Sequence, residues 1–97
     1  MDLTIIAALS EKRRLSFSYD GHLRIVEPHC YGITKNGKEV IRCYQVGGIC
    51  IRPGGDSWHL INVSNIQDIH ILSDSFLVTR PGYKKGDEVM ATIFVQL

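Results

Sequence analysis

Apolar positions recur at helical spacing only near the start of the chain. Leu3, Ile6 and Ala7 fall on one face, flanked by Ile5 and Leu9, which predicts a short helix over 3–13. Asp2 stands where an N-cap or first-turn acid belongs, and Lys12, Arg13 and Arg14 stand where the helix dipole favours cations. A helix this short is marginal alone and must dock its apolar stripe on something.

After Arg14 the period falls to two. Leu15, Phe17 and Tyr19 alternate with Ser16 and Ser18, the pattern of a half-buried strand. Asp20-Gly21 follows, a dipeptide favoured in two-residue hairpins because both positions need positive φ. The return strand runs from His22 towards Val26. Pro28 lacks an N–H for a ladder and marks an edge, bend or bulge, after which Tyr31–Thr34 resumes extended structure. Lys35-Asn36-Gly37-Lys38 is a second hairpin signal, so 15–46 reads as a three-stranded meander. In the strand Glu39–Val46, Val40, Arg42, Tyr44 and Val46 share one face, opposite Ile41 and Cys43. Gly47-Gly48 reads as a bulge or strand end, and 52–57 as a loop. Trp58–Val63, Ile69–Leu72 and the alternating end of the stretch 87–97 supply further strands, with a turn at Ser64-Asn65.

One helix ahead of five or six short strands joined by tight turns predicts a mainly β fold. A small antiparallel sheet of this kind bends strongly and would close into a barrel to remove its edges, with the helix plugging one end or crossing one face. All of 1–97 forms one domain, 1–14 the helix and 15–97 the barrel with a C-terminal extension.

Composition sharpens this only by exclusion. The 97 residues are 44% hydrophobic and 22% charged, as in ordinary globular domains, which excludes wholesale disorder. A formal net charge of +1 is not the footprint of a protein holding duplex DNA by bulk electrostatics. No apolar run approaches the 18 or so residues of a membrane span. The opening Met1-Asp2-Leu3 lacks the basic start of a signal peptide, so a cytoplasmic location is expected. Cys30, Cys43 and Cys50 form an odd set without a close pair. They read as reduced thiols, with Cys43 a small buried hydrophobe.

Catalytic chemistry finds little purchase. Structural zinc sites present ligands in close pairs, and the histidines and cysteines here form no two such pairs, so neither a metal nor a cofactor is implied. His29 and Cys30 are adjacent, and adjacent strand residues point to opposite faces, so the imidazole would not activate the thiol. The serines lack a strained elbow and the glycines form no phosphate loop. A binding face remains. Arg24, Arg42, Tyr44, Gln45 and Trp58 are polar or aromatic residues within strands of apolar neighbours. Arg24 and Arg42 would converge on one anion, with Tyr44 as a stacking plane. The plainer alternative pairs the arginines with Glu27 or Glu39 and puts the aromatics in the core.

The run Arg24-Ile-Val-Glu-Pro28, then Gly32, the Asn36-Gly37 turn, Val40–Gly48, Trp58–Val63 with Ile66, Phe76 and Arg80-Pro-Gly-Tyr83, resembles the WYL domain family. The similarity spans nearly the whole chain. It is closest to short stand-alone bacterial or phage versions without a helix-turn-helix. The resemblance implies an Sm/SH3-like small barrel. It also implies a non-enzymatic regulatory domain that senses or sequesters a nucleotide-type ligand or single-stranded nucleic acid. Glu39-Val40-Ile41 replaces the family's name-giving tripeptide. Asn62 and Ser64 stand where members often carry an arginine and an aspartate, which removes a cation from the usual phosphate pocket. The rival reading is a protein-interaction or oligomerisation module, with edge strands pairing with another chain or a second copy.

Overall fold

In the computed structural model, which describes residues 2–48 and 58–97, the Asp20-Gly21 turn sets the register of the first hairpin. Both residues take positive φ, 53° and 76°, as this hairpin demands. The turn joins β1 (Arg13–Tyr19) to β2 (His22–Thr34) and places Tyr19 opposite His22, Phe17 opposite Arg24 and Leu15 opposite Val26. At the second turn the Thr34 N–H donates to the Lys38 carbonyl (2.8 Å) and the Gly37 N–H to the Thr34 carbonyl (2.9 Å). β3 (Glu39–Gly48) then runs back along β2. The meander is as the sequence predicts.

The interruption expected at Pro28 is a bulge inside one long strand. The register steps from Pro28 opposite Cys43 to Cys30 opposite Arg42, leaving His29 outside the ladder. A second step lies where Ile25 faces Gly47 and Val26 faces Gln45. Bulges bend and twist a strand, and these let 13 residues of β2 serve three neighbours. One edge carries β3 throughout. The other carries β1 and then β6 (Met90–Gln96). β4 (Trp58–Asn62) pairs with β3, a 3-10 turn over Val63–Asn65 follows, and β5 (Gln67–Ser75), longer than expected, pairs with β1.

The main path is therefore β4-β3-β2-β1-β5, with β6 on β2. Among the described residues this path is open. β5 pairs with β1, no pairing joins it to β4, and the closed ring of strands expected from the sequence is not formed. The Asn62 N–H does donate to the Tyr19 hydroxyl at 3.3 Å, tying the end of β4 to the end of β1. The expected loop 52–57 and Cys50 lie outside the described residues.

One face of the sheet holds the main core. Leu15, Phe17, Val26, Tyr31, Ile41, Cys43 and Ile61 meet Ile5, Ala8 and Leu9 of α1 (Leu3–Ser10). Truncating a buried ring such as Phe17 to alanine would cost about 3–5 kcal/mol. The helix is shorter than the predicted 3–13 and turned differently. Leu3 is 77% exposed, while Ile5, Ala8 and Leu9 are buried. Leu3 to Leu9 is apolar almost all the way round, so docking rather than periodicity chooses the buried face. Lys12 takes φ 52° and Arg13 begins β1, so Arg13 and Arg14 do not sit on the helix end. Asp2 is the N-cap, accepting from the Thr4 and Ile5 N–H groups. Its own N–H donates to the Tyr31 hydroxyl (2.6 Å), which donates to Glu39 (2.6 Å). Burial, reinforced by the Glu39 carboxylate, raises the Tyr31 phenol above its ordinary value.

Candidate functional site

Residues paired across strands share a face, and alternation along a strand reverses it. Arg24 faces Phe17, and Gln45 faces Val26, so both lie on the core side. Arg42 faces Cys30 and Leu60, and Tyr44 faces Trp58, on the other side. The five candidate residues therefore divide into two groups. The expected convergence of Arg24 and Arg42 from one face does not hold, because they leave opposite faces of the sheet.

The outer face is covered by the chain itself. Residues 76–89, between β5 and β6, cross it as a strap. The Arg80 side chain donates from Nε to Glu27 Oε1 (2.6 Å) and from Nη2 to Oε2 (3.1 Å), and Arg14 Nε reaches Oε2 at 3.0 Å. Glu27 is 1% exposed. Burial alone would raise its carboxyl, but the hydrogen bonds and charges of Arg80 and Arg14 outweigh this and hold it below the usual glutamate value. His29 beside it is wholly buried among the rings of Trp58 (4.8 Å), Tyr83 (5.2 Å) and Phe76 (5.6 Å). Its Nε2 accepts from the Arg80 N–H at 3.1 Å, so Nδ1 carries the proton and donates to the Glu27 carbonyl at 2.8 Å. Burial pushes this imidazole down, against a smaller opposing pull from Glu27.

The same strap engages all three outer candidates. Arg42 Nε donates to Asp87 Oδ2 at 2.7 Å. Burial raises the Asp87 carboxyl, Arg42 and the Val89 N–H lower it more, and it lies below its ordinary value. Trp58 Nε1 donates to the Pro81 carbonyl (2.9 Å) and its ring meets Tyr44 edge-on (5.4 Å). The Arg80 guanidinium lies 5.0 Å over Tyr44. A hollow of about 370 Å³ remains between Arg42, Trp58 and the strap residues Tyr83, Lys84 and Lys85.

Arg24 is placed differently. It is 6% exposed, yet no carboxylate among the described residues pairs with it. Nη1 donates to Gln45 Oε1 (3.3 Å) and the guanidinium lies 5.3 Å over the Tyr19 ring. Nε is buried with no hydrogen-bond partner among the described residues. A buried cation without a counter-ion costs on the order of several kcal/mol, and a cation–π contact returns about 0.5–2 kcal/mol of it. Beside Arg24, at the β4 edge, is a hollow of about 500 Å³ lined by Tyr19, Asp20, Arg24, Arg42, Trp58 and His59 among others. The two arginines that leave opposite faces meet around this edge.

Other chemistry is accounted for internally. Cys30 Sγ donates to Met90 Sδ at 3.4 Å, and both His29 nitrogens are occupied, so thiol and imidazole are not coupled. Burial pushes the Cys30 thiol up to about 11 and the Cys43 thiol up to about 12. Among the described residues no three His, Cys, Asp or Glu side chains are placed to share a metal ion, and no helix is long and apolar enough to cross a membrane. Asn62 caps the 3-10 turn, its side-chain Oδ1 accepting from the Ser64 N–H (3.3 Å) and hydroxyl (2.9 Å).

Sequence reasoning misses Tyr19, Asp87 and the Arg80–Glu27 pairing. Tyr19 is within its reach, since the two-residue turn places it two positions from Phe17, on the face Arg24 shares. Asp87 carries no local signal, because its partner lies 45 positions away. No family model, curated protein or solved structure matches the chain.

Proposed function

We propose that this chain is a non-enzymatic ligand-binding domain, WYL-like in architecture, that takes a nucleotide-type ligand or single-stranded nucleic acid in the hollow at the β4 edge. One observation carries the reading. Arg24 is a buried cation, with no carboxylate partner among the described residues, and it lines an open hollow together with Tyr19 and Trp58. A guanidinium held in a low-dielectric wall favours an anion, and aromatic rings beside it favour a base. Arg42 and Gln45 contribute at second hand, Arg42 through the rim and Gln45 by fixing the Arg24 head. The finer architecture, a strongly bent and incompletely closed Sm/SH3-like barrel in a cytosolic bacterial or phage protein, belongs to the same proposal. A mainly antiparallel sheet with one docked helix supports it.

The test is fluorescence anisotropy of a labelled hexathymidylate and a panel of nucleotides against the protein at two salt concentrations. The reading expects saturable binding that weakens with salt at a slope of about 0.7 per phosphate neutralised. A second reading, a protein-interaction module, draws support from Leu77 and Val78, 86% and 75% exposed where the strap leaves β5. A stable oligomer with no response to any nucleotide would favour it.

A further inference from the structure

Arg42 and Trp58 line two hollows at once. One, of about 500 Å³, lies at the β4 edge with Tyr19 and Arg24. The other, of about 370 Å³, lies against the strap with Tyr83, Lys84 and Lys85. Each falls in the ~300–1,000 Å³ range of small-ligand sites, and Arg42 stands in the wall they share. Its Nε donates to Asp87 Oδ2 at 2.7 Å, while the Val89 N–H donates to Oδ1 at 3.0 Å and fixes that carboxylate. Nη1 and Nη2 bond to no described residue and are not buried. The Arg42 side chain is 27% exposed, against 10% for Asp87. The guanidinium is thus oriented from behind and keeps its Nη1–Nη2 end open, where an oxyanion can accept two parallel N–H bonds. Arg24, whose Nε is buried, contributes charge from within the wall instead. Around the two hollows together four cations stand against three carboxylates. A surplus of one suits a single negative charge, with an aromatic wall on either side of it for a base.

We infer, on the reading proposed above, that Arg42 takes the phosphodiester between two adjacent nucleosides, the first lodged at the β4 edge and the second against the strap. The chemistry recognised is one diester with a base on either side, as a single strand or a free linear dinucleotide presents it. A mononucleotide fills one hollow and leaves the other empty, and a triphosphate brings more charge than the surplus matches. Asp87 is a positioning residue, acting through Arg42, and the grip is preorganised because that pair is formed before any ligand arrives.

The experiment titrates the whole protein with thymidine 5′-monophosphate, thymidylyl-thymidine, its uncharged methylphosphonate analogue and hexathymidylate, reading backbone ¹H–¹⁵N shifts. Thymidylyl-thymidine should move Tyr19 and Asp20 on one side and Lys84 and Lys85 on the other with a single midpoint. It should bind about tenfold or more tightly than the monophosphate, because one linker joins two subsites. The methylphosphonate should lose most of that gain. Arg42→Gln combined with Asp87→Asn leaves no unpaired carboxylate behind, and should bind the diester and the methylphosphonate alike, with melts confirming its fold. Tighter binding of hexathymidylate on the same residues assigns the strand as the source, and equal binding assigns the free dinucleotide. Shifts confined to the β4 edge, or a methylphosphonate that binds wild type as well as the diester, would overturn the bridged site and leave the nucleotide reading standing. A preference for the diester that survives in the double variant would overturn the role of Arg42. No response to any of the four would overturn the nucleotide reading itself.

Discussion

Arg80 grips Glu27 with two hydrogen bonds, although the two residues lie 53 positions apart. That pair anchors the strap 76–89 over the outer face of the sheet, with the Asp87–Arg42 pair as its second anchor. The strap also completes the neutralisation of Glu27, since Arg14 reaches Oε2 and leaves Oε1 to Arg80.

Glu27→Gln should therefore destabilise the fold by about 3 kcal/mol, the low end for removing one partner of a buried pair. Arg14 and Arg80 are each about a third exposed, 30% and 36%, and can hydrate once the carboxylate is gone. Urea denaturation of the variant beside the wild type measures this. An unchanged midpoint would mean that the strap is held by its aromatic contacts alone.

Acid should loosen the protein in two steps. His29 is held neutral, its folded pKa lying below the ordinary 6.5. In the interval between the two values the unfolded chain binds more protons, so stability is full above about 6.5 and falls as pH drops towards the folded value. Protonation would set an Nε2–H against the Arg80 N–H. Glu27 follows lower down, its contribution present above the ordinary 4.5 and lost as pH falls through its depressed folded value. His29→Gln should flatten the first step and leave the second, read as denaturation midpoints from pH 7 to pH 4.

Much of this fold is legible in the sequence, and the reason is parity. The Asp20-Gly21 turn fixes Tyr19 opposite His22, and hence Phe17 opposite Arg24. Alternation along β1 and the turn length alone therefore put Arg24 on the core side. Ile41 and Cys43, alternating with Arg42, place it on the other side by the same rule. The helix face is not legible, because six of the seven residues from Leu3 to Leu9 are apolar and only docking selects Ile5, Ala8 and Leu9. The strap is not legible either. It has no period, and Arg80, Pro81 and Asp87 find their partners on strands far back in the chain. Closure of the sheet is an expectation from size and turn count, and neither states which edges meet.

At Gly32 the backbone of β6 lies close against β2. A Cβ there would run into the Thr92 carbonyl, a backbone atom that cannot turn aside, with Met90 Sδ also at 3.0 Å. Gly32→Ala should unseat β6 and cost at least the 1–3 kcal/mol or so of an overpacked site. Hydrogen exchange at residues 90–96 would rise well before the meander loses protection. Unchanged exchange would show that β6 shifts without cost.

Cys30 and Cys43 are buried, with thiols pushed up to about 11 and about 12. In a Cys50→Ser variant, no thiol should react with a disulfide reagent at neutral pH until denaturant is added, after which two should react together. Reaction of either thiol in the folded protein would contradict the placement of that side chain.

An anionic nucleotide-type ligand at the β4 edge, rather than on the strapped face, leaves a distinct pattern of perturbed residues. Backbone and side-chain chemical shifts of the whole protein, mapped with saturating hexathymidylate or with cyclic AMP, read that pattern. The largest changes should cluster on Tyr19, Asp20, Arg24 and His59, with smaller ones at Trp58. Changes confined to Tyr83, Lys84, Lys85 and Asp87, or none at millimolar ligand, would contradict binding at this edge.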